Sequence, residues 1–281
     1  TPGHVDFSAE MERTLNVLDY AVLVISGADG VQGHTETLWS LLKRYRVPTF
    51  LFINKMDQPG TVQEVLLSEL QKRLSESCVD FALLDGQKEN VPEEVWETIA
   101  MSEEELLEQY LENGSIPEQE IRRLIRQRKL FPCYFGSALK LQGVEKLLVG
   151  LERWMDAGMS GNACSKGDLN GELPHVNPDV AFGAKVFKIS RDAQGARLTW
   201  LKVTGGALRV KAPLTYRAQN QDYNEKADQL RLYSGVKFRA LEEAGAGSVV
   251  AVTGLSHSYV GLGLGAEAEA SAPLLQPVLT Y

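Results

Sequence analysis

The order of apolar and polar positions divides the chain into two textures. Residues 20–26 form a continuous apolar run closing on Ser26, the pattern of a strand buried on both faces. Leu38, Leu41, Leu42 and Tyr45 then recur at helical spacing within 34–45, and residues 48–53 make a second apolar run. Val62, Val65, Leu66, Leu70 and Leu74 predict a helix over 62–75, residues 130–135 predict a third short strand, and 143–155 a further helix. Strands alternating with helices predict a doubly wound α/β domain with a parallel sheet.

Residues 76–128 interrupt this rhythm with acidic, helical segments and are expected to be a small helical insertion. Ser102 with Glu105 has the spacing of a capping box, and Pro117 suits the first turn of the last of these helices. Residues 158–178 are rich in Gly, Asn, Ser and Pro and read as a linker. Beyond it, short strand-like runs at 180–190, 197–204, 208–216, 228–233 and 248–254 are separated by turn residues, which suits a small all-β barrel. No internal repeat is evident.

Composition narrows the function classes. A length of 281 residues allows two domains, and 44% hydrophobic with 23% charged residues is ordinary for a globular chain. The net charge of −8 argues against a basic DNA-binding protein. The acidic excess lies before residue 160, and the remainder has an ordinary mixed surface. No apolar run is long enough to span a bilayer and no leader pattern opens the chain, so the expected location is cytoplasmic, without a membrane partner. Cys78, Cys133 and Cys164 are scattered and read as reduced thiols; His4, His34, His175 and His257 lack metal-ligand spacing. The basic run at 122–129 reads as a solvated helix face offsetting the acidic helices before it, and Trp39, Trp96, Trp154 and Trp200 as packing residues.

Three motifs carry chemistry. Asn54-Lys55-Met56-Asp57 directly follows a buried strand. Guanine presents two adjacent donors, N1–H and the exocyclic amine, and one carboxylate accepts both. Adenine turns an acceptor toward the same oxygen, so Asp57 would discriminate between the purines. Asn54 can tie neighbouring loops and reach the base, and the Lys55 stem can cover the ring. Asn and Asp after a strand also serve as plain turn formers. Gly136-Ser137-Ala138-Leu139-Lys140 again follows a strand: the Ala138 N–H would donate to guanine O6 while Ser137 braces the loop, or the segment is simply a capped turn. Both motifs sit where open α/β sheets bind ligands, at strand carboxyl ends. At the start, Thr1-Pro2-Gly3-His4 places a glycine able to approach a γ-phosphate and a histidine able to orient a water, or it is a frayed terminus.

In this order the three motifs resemble the third, fourth and fifth motifs of translational GTPases, with elongation factor G and the tetracycline-resistance ribosomal protection proteins as the nearest groups. The acidic helical segment with Trp96 and Leu106-Leu107-Glu108-Gln109-Tyr110-Leu111 resembles the protection proteins more closely, as does Val186-Phe187-Lys188-Ile189. The resemblance implies a fold of a partial P-loop-type GTPase domain lacking its first strands (1–157), a linker, an all-β translation-factor barrel (179–270) and the start of a third domain (271–281). It implies GTP or GDP as ligand, Mg2+ in the intact protein, and the ribosome as partner. It assigns catalysis to His4 and nucleotide contacts to Thr1, Pro2, Gly3, His4, Asn54, Lys55, Asp57, Ser137, Ala138 and Leu139. No Gly-Lys-Ser or Gly-Lys-Thr occurs in the 281 residues, so the phosphate loop of such enzymes is missing here. The expectation is a guanine-reading chain that hydrolyses GTP negligibly by itself, cut from a parent that is a hydrolase in ribosomal protection or in translocation.

Overall fold

The structure, a computed structural model, describes residues 8–84, 91–155, 180–218 and 220–268. They fall into two compact units: residues 18–156, and residues up to 17 together with those from 157 onward.

The first unit is built on a four-stranded parallel sheet. Its strands are β1 (Ala21–Ser26), β2 (Thr49–Asn54), β3 (Cys78–Asp80) and β4 (Phe131–Phe135), in the spatial order β1-β2-β4-β3. β1 and β2 pair in parallel from Ala21↔Thr49 to Ser26↔Asn54. β2 is central, and every residue before Asn54 is buried, as its unbroken apolar run requires. Phe50 and Phe52 alternate with Leu51 and Ile53, so β2 supplies both faces of the sheet with core. The helices are α2 (Gly33–Arg44), α3 (Gln63–Arg73), α4 (Glu93–Ala100), α5 (Glu104–Asn113), α6 (Glu118–Arg126) and α7 (Val144–Trp154).

The segment 76–128 does not stand apart as an insertion. β3 lies within it and completes the sheet against β4. Trp96, Ile99, Leu106, Ile121, Leu124 and Ile125 of α4–α6 are buried in one cluster with Phe50, Phe52, Phe81, Tyr134 and Trp154. The acidic residues that dominate its composition occupy the outer faces, while the apolar positions close one face of the sheet. The expected capping box is not formed. Ser102 Oγ instead donates back to Ile99 O at 2.6 Å, closing the end of α4. Residue Glu103 caps α5 without a side-chain bond to it, its carboxylate being taken by Arg123 and Lys129.

In the second unit a six-stranded antiparallel sheet has the order β11-β10-β13-β6-β5-β14. Its strands are β5 (Gly183–Arg191), β6 (Arg197–Gly205), β10 (Gln229–Ser234), β11 (Lys237–Leu241), β13 (Val249–Thr253) and β14 (Gly263–Gly265). Two ribbons join β7 (Ala207–Arg209) to β12 (Glu243–Gly245), and β8 (Pro213–Ala218) to β9 (Gln221–Lys226). One core gathers Val186, Leu201, Val203, Leu214, Leu230 and Val252. The single run expected at 208–216 is broken into β7 and β8, with Lys211 at a φ of 66° between them. Helix α1 (Ser8–Leu15) packs on β5, and Lys202 Nζ donates to Val17 O at 3.0 Å. The fold class is thus the expected one: a parallel α/β sheet followed by an antiparallel β region.

Candidate functional site

The carboxyl ends of β2 and β4 lie side by side because the two strands pair in parallel through Ile53↔Phe135. The Asn54 and Gly136 loops therefore leave the sheet together. Backbone bonds stitch them: Gly136 N donates to Ile53 O at 2.9 Å, and Met56 N to Gly136 O at 3.0 Å. Asn54 Oδ1 accepts from Lys55 N and from Ala138 N, each at 2.8 Å. This side chain is the tie between the two motifs that their sequence suggested. It holds Lys55 in the left-handed region at a φ of 62°, a conformation that costs a non-glycine residue about 1–2 kcal/mol.

Asp57 faces the second loop. Its carboxylate pairs with Lys140 Nζ at 3.2 Å and is largely covered, its side chain 18% exposed. The Ser137 hydroxyl, and after it the Lys140 ammonium, hold the Asp57 carboxyl below the usual carboxylate range. Among the described residues Ser137 Oγ is itself buried and has no partner of normal hydrogen-bond geometry. An orphaned buried hydroxyl beside an ionised carboxylate is an arrangement with unspent hydrogen-bonding capacity. The Ala138 N–H is already engaged by Asn54, so a ligand oxygen would have to share it. Leu139 is 92% exposed at the tip of this loop.

The second loop is tight. Ser137 N and Gln142 N exchange bonds with each other's carbonyls at 2.9 and 3.0 Å. A Cβ on Gly136 would meet Gln142 O at 2.1 Å, so only glycine lets the loop close there. The sequence reading missed two contributors. Lys140 stands five residues past the end of β4, within reach of the neighbouring loop's carboxylate, a role that its place in the motif does not announce. Gly27, whose N donates to Asn54 O at 2.7 Å, carries only the weak signal of a glycine after a strand.

Thr1, Pro2, Gly3 and His4 lie outside the described residues, as do the linker at 158–178, the segment 271–281, Cys164 and His175. The cavities beside Leu230, Trp39 and His257 are not lined by Asn54, Asp57 or Ala138. Among the described residues no three His, Cys, Asp or Glu side chains gather as metal ligands, and none of their helices is long and apolar enough to cross a membrane. Trp39, Trp96 and Trp154 are buried as expected of packing residues. The basic run offsets the acidic helices as expected, Arg123 pairing with Glu103 and Glu120, but it is not solvated throughout: Arg122 Nε donates to Arg153 O at 2.8 Å and Arg128 turns inward.

The comparisons agree with this arrangement. A solved crystal structure from Thermus thermophilus superposes with a TM-score of 0.74 at 22% identity, over 98% of this chain. The chain spans 45% of that protein's length, and at this identity the likeness speaks for the fold alone. The family profile of the elongation factor Tu GTP binding domain matches residues 1–157, which take in both strand-end loops. The chain therefore belongs to the elongation factor Tu GTP-binding-domain family of translational GTPases.

Proposed function

We propose that the two strand-end loops read a guanine base, with Asp57 accepting from its N1–H and exocyclic amine. The observation that carries this reading is the Asn54 bridge. It fixes the Asp57 loop against the Ala138 loop at the carboxyl ends of adjacent parallel strands, where such sheets take ligands. Ser137 and Lys140 keep the carboxylate ionised, the form that accepts two donors. Lys55 is exposed and free to lay its stem along the base. Sharing of the Ala138 N–H between Asn54 and the base oxygen would complete the contact.

For the intact protein we propose ribosome-associated GTP hydrolysis, with Mg2+ beside the phosphates, His4 orienting the attacking water, and Thr1, Pro2 and Gly3 at the γ-phosphate. The finer assignment, ribosomal protection against tetracycline, is supported by the resemblance of the acidic helices around Trp96. Translocation of the elongation factor G type is the competing task. Complementation of tetracycline sensitivity, as opposed to loss of translocation, would separate the two.

The base-reading claim is tested by competition calorimetry of GDP against ADP on the 281-residue chain. A bidentate base contact is worth about 1–3 kcal/mol of discrimination, so GDP is expected to bind roughly 5–150-fold tighter. Equal affinities would remove the reading.

A further inference from the structure

At the other end of the same sheet lies a cavity of about 530 Å³ whose charge is opposite to that of the chain. It opens beside the first residues of β2 and β4, one strand length away from Asp57, on the order of 15–20 Å. Lys43, Arg46, Arg126 and Arg128 line it together with Trp39 and Phe131, and no Asp or Glu does. This is a cationic pocket in the acidic half of a protein with net charge −8.

Arg128 is the instructive residue. It is half-buried, with its guanidinium over the Trp39 and Phe131 rings at 5.0 and 5.2 Å. Through Nη1 it donates to Thr49 Oγ1 at 2.8 Å and to Val47 O. These contacts fix its position but bring no negative charge, and among the described residues it has no carboxylate partner. Burial alone pushes its guanidinium down to about 10, with no carboxylate to offset it. Withdrawing a charge from water is costly unless a counter-charge meets it. Lys43 and Arg46 likewise make no ion pair among the described residues. Lys43 also complements the carbonyl end of α2, but that role leaves Arg128 unanswered.

We infer that this pocket binds a small diphosphate-bearing anion, held by Lys43, Arg46 and Arg128 at a site separate from the base-reading loops. A phosphoryl group carries roughly −1.5 to −2 charges near neutral pH, so a diphosphate balances three cations. The volume falls within the range of small-molecule sites, about 300–1,000 Å³. Trp39 and Phe131 are already covered by Arg128, so recognition rests on the phosphates and not on ring stacking.

The test is calorimetric titration of the 281-residue chain with pyrophosphate at low salt. The variants are Lys43→Gln/Arg46→Asn and, separately, Asp57→Asn. Arg46 sits at a φ of 53°, which asparagine tolerates, and both side chains are exposed, so thermal unfolding should hold. Arg46→Asn alone serves if the double variant is unstable. Losing two charge-assisted contacts should weaken pyrophosphate binding by at least about tenfold, while Asp57→Asn leaves it unchanged. Three results would overturn the inference: no pyrophosphate binding to the unaltered chain, equal binding by the neutralised variant, or loss of binding with Asp57→Asn. A ten-nucleotide single-stranded RNA that displaces pyrophosphate at about a hundredfold lower concentration would also overturn it, assigning the pocket to nucleic acid.

Discussion

Replacing Asn54 by alanine removes one oxygen that accepts two backbone N–H bonds, from Lys55 and Ala138, each at 2.8 Å. A hydrogen bond of this kind contributes about 0.5–1.5 kcal/mol net, and an orphaned buried donor costs about 1–3 kcal/mol. Lys55 and Ala138 are exposed residues, so water can take up both donors and the lower figures apply. The left-handed Lys55 loses its anchor in the same step and relaxes. The α/β unit should therefore lose about 1–2 kcal/mol, measured as a lower urea midpoint at constant slope. Amide exchange at Ala138 should accelerate, because among the described residues that N–H has no other partner. Asn54→Asp keeps the acceptor and should restore both readings; Gln58→Ala, one turn along the loop, should change neither. An unaltered midpoint together with unaltered Ala138 exchange in Asn54→Ala would show that the two loops are not tied through this side chain.

Two further outcomes follow from the same unit. Arg123 first, then Lys129, hold the Glu103 carboxyl at about 2 instead of its ordinary 4.5. A depressed carboxylate stabilises the fold above its unfolded value and loses that contribution as pH falls toward 2, so thermal stability should decline between about pH 4.5 and 2, and Glu103→Gln should flatten that part of the profile. A Cβ on Gly150 would lie 1.8 Å from the hydroxyl of the fully buried Tyr134. Gly150→Ala should destabilise by about 1–3 kcal/mol despite alanine's better helix propensity, read again from the urea midpoint.

Strand β2 is legible because burial acts on both of its faces, whereas the equally apolar β1, expected to be buried on both, leaves Val22 and Val24 exposed. Residues 49–54 lie in the middle of a parallel sheet, so the run is apolar almost throughout and the strand announces itself. The motifs that follow β2 and β4 were legible for the same reason: a strand that stops abruptly marks where its loop begins. β3 was hidden because three residues, one of them Asp80, carry no periodicity. Residues 237–241 form β11 at the edge of the sheet with four exposed positions, so neither alternation nor an apolar run betrays it. The acidic helices misled because composition averages over faces, whereas Ile99, Leu124 and Ile125, each fully buried, determine where those helices sit. Arg128 was legible only as one cation in a run. That it stacks inward on Trp39 depends on a contact between residues far apart in sequence, which no local pattern encodes.

The central claim is that Asp57 selects a purine by its two adjacent donors, and the most direct measurement is a change of base preference. Affinities of guanosine and xanthosine diphosphates should be compared on the unaltered chain and on Asp57→Asn. The account predicts that the unaltered chain prefers the guanine nucleotide and that Asp57→Asn reverses the order, because the amide offers a donor where xanthine offers an oxygen. The reversal should be roughly 10-fold or more, as expected when one member of a bidentate pair is mismatched. The same preference in both proteins would place the base elsewhere and contradict the account.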